Sequence, residues 1–272
     1  MANFRKPNMG SVLKSPIVLF KIGLEHEEFR VHECILLPLS PQIRENITAG
    51  GEGNVVDKFL WEDVEPTTFA DLVEFAYGTD YTTDIFPEHA NDGNDDDIYN
   101  LKEWIDSWTG KKGAIYHHGL RFVESRHDTP EGYFPGDQDA EHKPINKTKC
   151  STTIFRHIKL YALAKRCEIQ SLEDICLYKL RNCLVRLPWE FYDEDFILKA
   201  TRYIWANTPE GERSLLRRIW IDFILCDLDC LIDGRLEDPI RCIKNFGSEF
   251  LLAVPPGYWQ ELQSVREQRA KK

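Results

Sequence analysis

Long apolar runs are missing from this chain of 272 residues. The most apolar stretch, Ile219 to Ile232, is interrupted by three aspartates, which a membrane-spanning helix does not tolerate without partners. The first ten residues include Arg5 and Lys6 but no apolar segment after them, so they do not resemble a secretory signal. We therefore expect no transmembrane helix, no membrane partner, and a location inside the cell, in the cytoplasm or the nucleus.

Positive charge is also scarce. The chain carries 34 Lys and Arg against 45 Asp and Glu, which gives a formal net charge of −11. This charge repels phosphate backbones and anionic lipids, so a nucleic acid would need a local basic patch. Arg217 and Arg218 lie close to Glu210 and Glu212 in the sequence and do not form such a patch. We expect no nucleic acid among the partners.

The motifs of common enzyme classes are absent. The sequence has no GxSxG elbow, no HExxH pair, no glycine-rich dinucleotide loop and no catalytic-cysteine signature. Thr109 to Gly113 shares a Gly-Lys pair with phosphate-binding loops, but Ile105 stands where the upstream glycine is required. Lys112 replaces the Ser or Thr that would hold magnesium. We predict a basic turn there, with no catalytic residue and no cofactor.

Clusters of metal-ligand residues lack the required spacing. Asp92 to Asp97 is acidic, but the glycine and terminal glutamate of an EF-hand loop do not fall in register. In a strand, His117 and His118 would point to opposite faces, so we predict no metal site. An enzyme whose site includes these histidines and Asp106 is the least favoured alternative, because no nucleophile, base and oxyanion donor occur together.

Most of the eight cysteines fall at helical positions among Leu and Ile. Cys226 and Cys230 are one helical turn apart, but no CxxC or His pair is placed to complete a zinc site with them. A free thiol at such a position behaves as a small apolar side chain. We predict reduced, buried cysteines.

The first eighty residues alternate strand and helix patterns. Pro16 to Ile22 is apolar and β-branched, Gly23 interrupts the pattern, and Phe29 to Val31 resumes it, which predicts a hairpin. The pattern then predicts a short helix over Glu33 to Leu37, a helix capped by Ser40, a strand over Val55 to Trp61, and an amphipathic helix from Asp63 to about Tyr77.

The character of the chain changes between Gly78 and Cys150. Asn91 to Asp97 is a polar, acidic run that cannot bury enough apolar area to become ordered. Tyr99 to Trp108 predicts a short helix and Ala114 to Val123 a hairpin. We interpret residues 84–150 as an acidic insertion that is partly disordered.

Helical periodicity returns after Cys150. Ile154 and Ile158 share one helix face, and Ser171 with Asp174 resembles a capping box at the start of the next helix. Further helices are predicted over Asp195 to Ala206, Glu212 to Leu231 and about Arg241 to Leu252. The breakers between them are Pro209, Gly211, Gly234, Pro239, Pro255, Pro256 and Gly257.

Six segments, in order along the chain, resemble a BTB/POZ domain of the divergent fungal type. They are Ser15 to Phe20, Phe29 to His32, Leu39 to Pro41, Asp63 to Phe69, Phe75 to Gly78 and Leu160 to Arg166. Phe196 to Trp205 and Leu215 to Arg218 are similar to the helical tail that commonly follows this domain. The resemblance implies an α+β fold, in which a BTB/POZ-like core, a short mixed sheet flanked by helices, precedes an all-helical C-terminal extension. The domain then covers residues 11–83 and 151–188, and the extension covers 189–272.

The function that the resemblance implies is protein binding. Family members form homodimers or heterodimers, or act as adaptors that bring substrates to a cullin-type ubiquitin ligase. They often pair through the opening strand and first helix, which places a protein interface at Val31, His32, Glu33 and Leu36. Our leading hypothesis is a non-catalytic scaffold for protein–protein interaction.

The ligase-adaptor hypothesis depends on a triplet of residues. Members that bind the ligase resemble one another in a hydrophobic-x-acidic triplet just before the Tyr-Ala-Leu-Ala helix. Arg156, His157 and Ile158 occupy the aligned positions in this sequence. A cation and an aliphatic side chain do not supply an apolar knob followed by a carboxylate, so the adaptor role is the second hypothesis.

Overall fold

The computed structural model describes residues 8–49, 59–82, 101–102, 105, 113–125, 147–186, 194–208, 214–226, 228 and 236–270. The chain divides into two compact units. The first contains residues 1–84 and 156–176, and the second contains residues 85–155 and 177–272.

The first unit contains a three-stranded mixed sheet with the strand order β2-β1-β3. Strand β1 (Ile17–Ile22) pairs antiparallel with β2 (Glu27–His32), with Ile17 opposite His32 and Ile22 opposite Glu27. Gly23 has a φ of 72° in the connecting turn, a backbone conformation that glycine adopts without strain. The predicted hairpin is therefore confirmed. Strand β3 (Phe59–Trp61) runs parallel to β1, and the rest of the predicted third strand, residues 55–58, lies outside the described residues.

Four helices precede, separate or follow these strands along the chain. They are α1 (Met9–Val12), α2 (Glu33–Leu36), α3 (Pro41–Ala49) and α4 (Pro66–Gly78). The Ser40 hydroxyl accepts a hydrogen bond from the amide of Ile43 at 3.1 Å, as predicted for a capping serine. Pro66 is the first residue of α4. Proline lacks a backbone N–H, but this costs no hydrogen bond here, because an N–H at the first helical position has no acceptor within the helix. The helices predicted after β2 and after β3 are confirmed.

The core of the first unit follows the two periodicities of its elements. Alternate residues of β1, among them Phe20, are buried, while α4 buries residues three and four apart, among them Phe69. The Phe20 ring lies 4.9 Å from the Phe69 ring and 5.1 Å from the Phe59 ring. Full burial of one such side chain contributes about 2 kcal/mol. The sheet and α4 are therefore held together by one aromatic cluster.

Two long helices contribute to both units. In α6 (Lys147–Arg166) the residues from Arg156 onward belong to the first unit, and in α7 (Gln170–Arg186) those up to Cys176 do. Between the helices, the Ile169 amide donates to the Ala164 carbonyl and the Glu168 amide donates to the Lys165 carbonyl, with Glu168 at a φ of 55°. This is a Schellman motif. The capping prediction for Ser171 was wrong, because α7 begins one residue earlier, at Gln170, whose side-chain amide donates to Asp174.

The second unit is helical in its described parts. Its remaining helices are α5 (Ala114–Glu124), α8 (Glu194–Asn207), α9 (Leu215–Leu225), α10 (Glu237–Cys242), α11 (Phe246–Ala253) and α12 (Pro256–Ala270). Helix α9 packs against α5, α8 and α11 around the fully buried Trp220. The Trp220 indole N–H donates to the Thr201 hydroxyl at 2.9 Å, which satisfies its one polar atom. The helices predicted at α8 and α9 are confirmed over the described residues. The helix predicted over about Arg241 to Leu252 is confirmed only in its second part, because a break at residues 243–245, with Asn245 at a φ of 65°, separates α10 from α11.

Two local predictions for this unit were wrong. Residues 114–123 form a helix, not a hairpin, because Ile115, Gly119 and Phe122 share one buried face at helical spacing. Gly119 lies so close to Ile105 that an added Cβ would stand 2.9 Å from its Cδ1. Pro239 is not a breaker but lies in the first turn of α10, where proline is tolerated.

Taken over the described residues, the chain has the predicted α+β class, with helices predominating. None of the helices in these ranges has both the length and the hydropathy needed to cross a lipid bilayer. The acidic run Asn91 to Asp97 lies outside the described residues, as do most of Tyr99 to Trp108 and the turn at 109–112.

Candidate functional site

The four residues of the predicted protein interface differ in accessibility. Val31 and Leu36 are each 1% exposed and belong to the core of the first unit. His32 and Glu33 are half-buried. A partner could therefore touch only His32 and Glu33 directly, and the interface at these positions stays a prediction.

His32 is fixed by a hydrogen bond to α4. Its Nδ1 lies 2.6 Å from the Tyr77 hydroxyl, and its backbone N–H donates to the same hydroxyl at 3.3 Å. The two rings meet edge to face with centroids 6.0 Å apart. The His32 ring therefore ties the end of β2 to a side chain of α4.

A row of ion pairs joins α6 to the region around α4 within the first unit. Arg156 pairs with Asp71, Lys159 pairs with Glu65 at 2.5 Å, and Arg166 pairs with Asp63. The Arg166 guanidinium also lies over the Trp61 ring, 5.3 Å from its centroid. The cation of the triplet aligned with the ligase-binding residues is thus engaged inside this unit. The other two members, His157 and Ile158, are fully buried.

A buried polar cluster lies beneath this row. The Tyr81 hydroxyl lies 2.7 Å from His157 Nδ1 and 3.6 Å from the Cys176 sulfur, and all three side chains are at most 1% exposed. An imidazole next to a hydroxyl and a thiol has the composition of a catalytic group, but a substrate cannot reach atoms sealed in this way. We interpret the cluster as structural, since each buried polar atom named here has a partner.

The residues of the least favoured enzyme hypothesis do not assemble in the described part of the second unit. His117 is exposed, Asp106 lies outside the described residues, and His118 directs Nε2 toward the Asp222 carbonyl at 3.1 Å. Because the two histidines lie on a helix, the strand argument applied to them was wrong. Among the described residues, no group of three or more His, Cys, Asp or Glu is placed to hold a metal ion.

The cysteines are less uniform than the sequence suggested. Cys167, Cys176, Cys183 and Cys226 are buried and free, as predicted. Cys242, however, is exposed on α10, and Cys34 is half-buried.

An exposed apolar stripe lies on α12. Every residue from 259 to 270 is exposed, and Trp259, Leu262 and Val265 are 44%, 47% and 47% exposed. These three residues are spaced three apart, so they form one stripe along the helix. Near its start α12 is attached to α5, where the Glu261 carboxylate accepts a hydrogen bond from the Ala114 amide at 2.8 Å.

The sequence predicted no helix here, because Pro255, Pro256 and Gly257 are helix breakers in most positions. Pro256 is instead the first residue of α12, a position that favours proline. The run from Gln260 to Ala270, rich in strong helix formers and without Gly or Pro, was the signal that could have identified it.

A second exposed apolar group lies at the start of the first unit. Met9 and Leu13 are 57% and 72% exposed and four residues apart, so they are neighbours on one side of α1. Val12 points the other way, into the core.

Comparison with known proteins returned no family model, no curated protein and no solved structure that matches this chain.

Proposed function

We propose that this chain is a non-catalytic protein-interaction module, a BTB/POZ-like scaffold, and that it pairs with a second copy of itself. The observation that carries the proposal is the apolar stripe of α12, defined by Trp259, Leu262 and Val265, of which 44–47% stays exposed.

Packing within the described residues stabilises this helix only in part, through its contact with α5. Isolated helices shorter than about 12–15 residues are marginal in water, because the cost of nucleation exceeds what a few helical turns contribute. Most helical stability in proteins comes from packing an apolar face, and α12 buries none of its 15 residues. A second copy offers the same stripe, so two helices could bury it mutually, as the commonest oligomers, two-fold symmetric dimers, do.

The sheet of the first unit favours contact through helices over contact through strands. Its edge strand β2 carries Glu27, Glu28 and Arg30, and charged side chains on an edge discourage pairing with another chain. The opposite edge, β3, has three residues in the described part of the chain. The exposed Met9 and Leu13 of α1 add a second apolar surface for a protein partner.

The test is self-association of the full chain, measured by size-exclusion chromatography with light scattering over a dilution series. The combined variant Trp259→Gln, Leu262→Gln and Val265→Gln removes the stripe without changing net charge. Since these residues are exposed, its circular dichroism should show a folded protein. We expect the dimer to dissociate at concentrations at least about tenfold higher than in the unaltered chain.

The matched control substitutes the opposite side of the same helix, Gln260→Ala, Ser264→Ala and Gln268→Ala, and should dimerise like the unaltered chain. A monomeric mass at roughly 100 µM would contradict self-pairing. Equal weakening in both variants would mean that other surfaces of α12, and not the stripe alone, carry the association. The resemblance also implies heterodimers and a cullin-type ligase, but none of the contacts described here favours either over self-pairing.

A further inference from the structure

The second unit contains an open pocket of about 600 Å³. Helices α5 and α9 and the turn between α11 and α12 line it, and Arg181 reaches it from α7. Phe122, Leu215 and Ile219 supply apolar wall. The polar lining consists of His118, Arg121, Ser125, Arg181, Arg218 and Asp222.

The charge of this pocket is opposite to that of the protein. Three guanidinium groups face one carboxylate, in a chain whose formal net charge is −11. The carboxylate of Asp222 lies 3.8 Å from Arg218 Nε and 3.8 Å from His118 Nε2, so it neutralises at most one of the cations. A concave site of one charge concentrates ligands of the opposite charge.

Arg181 is the buried cation of the pocket. It is 5% exposed, and its Nη2 donates to the Phe122 carbonyl and to the Ser125 hydroxyl. Its guanidinium lies 5.3 Å from the centroid of the Phe122 ring. Neither Nε nor Nη1 has an acceptor among the described residues. Neither nitrogen is among the sealed atoms that lack a partner, so both keep some contact with solvent, and Arg181 lines the pocket.

Arg217, in the same unit, is a buried arginine whose hydrogen-bond acceptors are all supplied by the protein. It is 3% exposed, its Nη1 donates to the Glu249 carboxylate at 2.7 Å, and its Nε donates to the Thr208 hydroxyl at 2.6 Å. Its Nη2 donates to the carbonyls of Trp205 and Thr208. Arg181 has neither a carboxylate nor a full set of acceptors. Burial also lowers the pKa of Arg181, although Cys226 acts in the opposite direction.

We propose that this pocket binds a small organic phosphate, a phosphate monoester whose body packs against Phe122, Leu215 and Ile219. The phosphate oxygens accept hydrogen bonds from the free nitrogens of Arg181 and from Arg121 and Arg218. Guanidinium groups match phosphate geometry and form charge-assisted bonds with it. The three arginines of the lining exceed its one carboxylate, Asp222, by two positive charges. This excess matches the double negative charge of a phosphate monoester better than the single charge of a carboxylate.

The experiment is calorimetric titration of the full chain with phenyl phosphate at low ionic strength, with benzoate as the monoanion of the same ring. We expect saturable binding of one phenyl phosphate per chain, at least about tenfold tighter than benzoate. Absence of heat and of any shift in melting temperature at millimolar phenyl phosphate would overturn the proposal. Benzoate binding as tightly as phenyl phosphate would overturn the assignment to phosphate.

Variants at exposed positions avoid the risk that Arg181 itself is needed for folding. Arg121→Gln and Arg218→Gln should each weaken phenyl phosphate binding by about tenfold. Arg202→Gln, an exposed arginine of α8 outside the pocket, makes the same change in charge and should leave affinity within about twofold. Equal weakening in all three variants would mean that phosphate responds only to net charge, and the pocket would carry no site.

Discussion

The guanidinium of Arg156 donates two hydrogen bonds to the carboxylate of Asp71, and the Asp71 side chain is only 1% exposed. Nε lies 2.6 Å from Oδ2, and Nη2 bonds Oδ1. Parallel bonds of this kind are the strongest arrangement available to an arginine and a carboxylate. The pair joins α4 to α6 across 85 residues of chain, so it links the two halves of the first unit.

Removing one partner of this pair should destabilise the protein strongly. In Asp71→Asn the Arg156 cation loses its counter-charge, and we expect the free energy of unfolding to fall by about 3 kcal/mol. Urea denaturation followed by circular dichroism measures it. The matched control is Lys159→Met, which breaks the more exposed pair with Glu65 and should cost less than about 1 kcal/mol. Equal losses would contradict the distinction between buried and exposed pairs.

The buried thiol of Cys167 should make stability fall at alkaline pH. Burial raises its pKa from 9.0 to about 11, although Arg166 acts in the opposite direction. Above about pH 9 the unfolded chain releases this proton and the folded chain does not, so the free energy of unfolding declines until about pH 11. The expected contribution of this group is about 3 kcal/mol.

Other groups titrate in the same range, so the test compares variants. Urea denaturation between about pH 8 and pH 11 should show a smaller decline for Cys167→Ala than for the unaltered chain. Cys242→Ala, at an exposed thiol, should retain the full decline. Indistinguishable profiles for all three proteins would show that Cys167 does not contribute.

A glycine at position 168 should stabilise the protein. Glu168 holds the left-handed position of the Schellman motif at a φ of 55°, which costs a residue with a Cβ about 1 kcal/mol. Glu168→Gly removes that strain, and we expect a net gain of up to about 1 kcal/mol after the greater freedom of glycine in the unfolded chain is subtracted. Thermal denaturation measures the gain. A lower melting temperature than that of Glu168→Ala would contradict the assignment.

Thiol accessibility should separate the described cysteines. Iodoacetamide added to the folded protein should modify Cys242 first, because it is exposed on α10, and Cys34 more slowly. Cys167, Cys176, Cys183 and Cys226 should react only after unfolding in urea. Peptide mass spectrometry assigns each site. Early modification of Cys176 would mean that the cluster around Tyr81 opens readily.

Local sequence patterns predicted the elements in which a buried face and an exposed face alternate, and the turns and caps that depend on one residue. The alternation in β1, the glycine at position 23 and the Ser40 cap each depend on a few adjacent residues, so sequence was sufficient. The mistakes at Ala114–Glu124 and at Pro256 arose where a short apolar run or a proline is compatible with more than one element. In both places packing or helix position decides the outcome.

The candidate sites could be predicted only in part. Sequence placed His32 in the predicted interface but could not identify Tyr77 as its hydrogen-bond partner, because the two lie 45 residues apart. The arginines of the pocket are scattered from position 121 to 218, and no spacing rule links them. The chain's acidic net charge argued against any basic site, yet a local site of opposite sign formed.

The sequence by itself determined the α+β class, the hairpin, most helices and the free cysteines, because propensity and periodicity act between neighbouring residues. Tertiary structure alone decided which charges became buried pairs, which arginine was left without a carboxylate and which apolar stripe stayed exposed. Those outcomes depend on which distant segments meet, and burial then fixes how strongly each charge interacts.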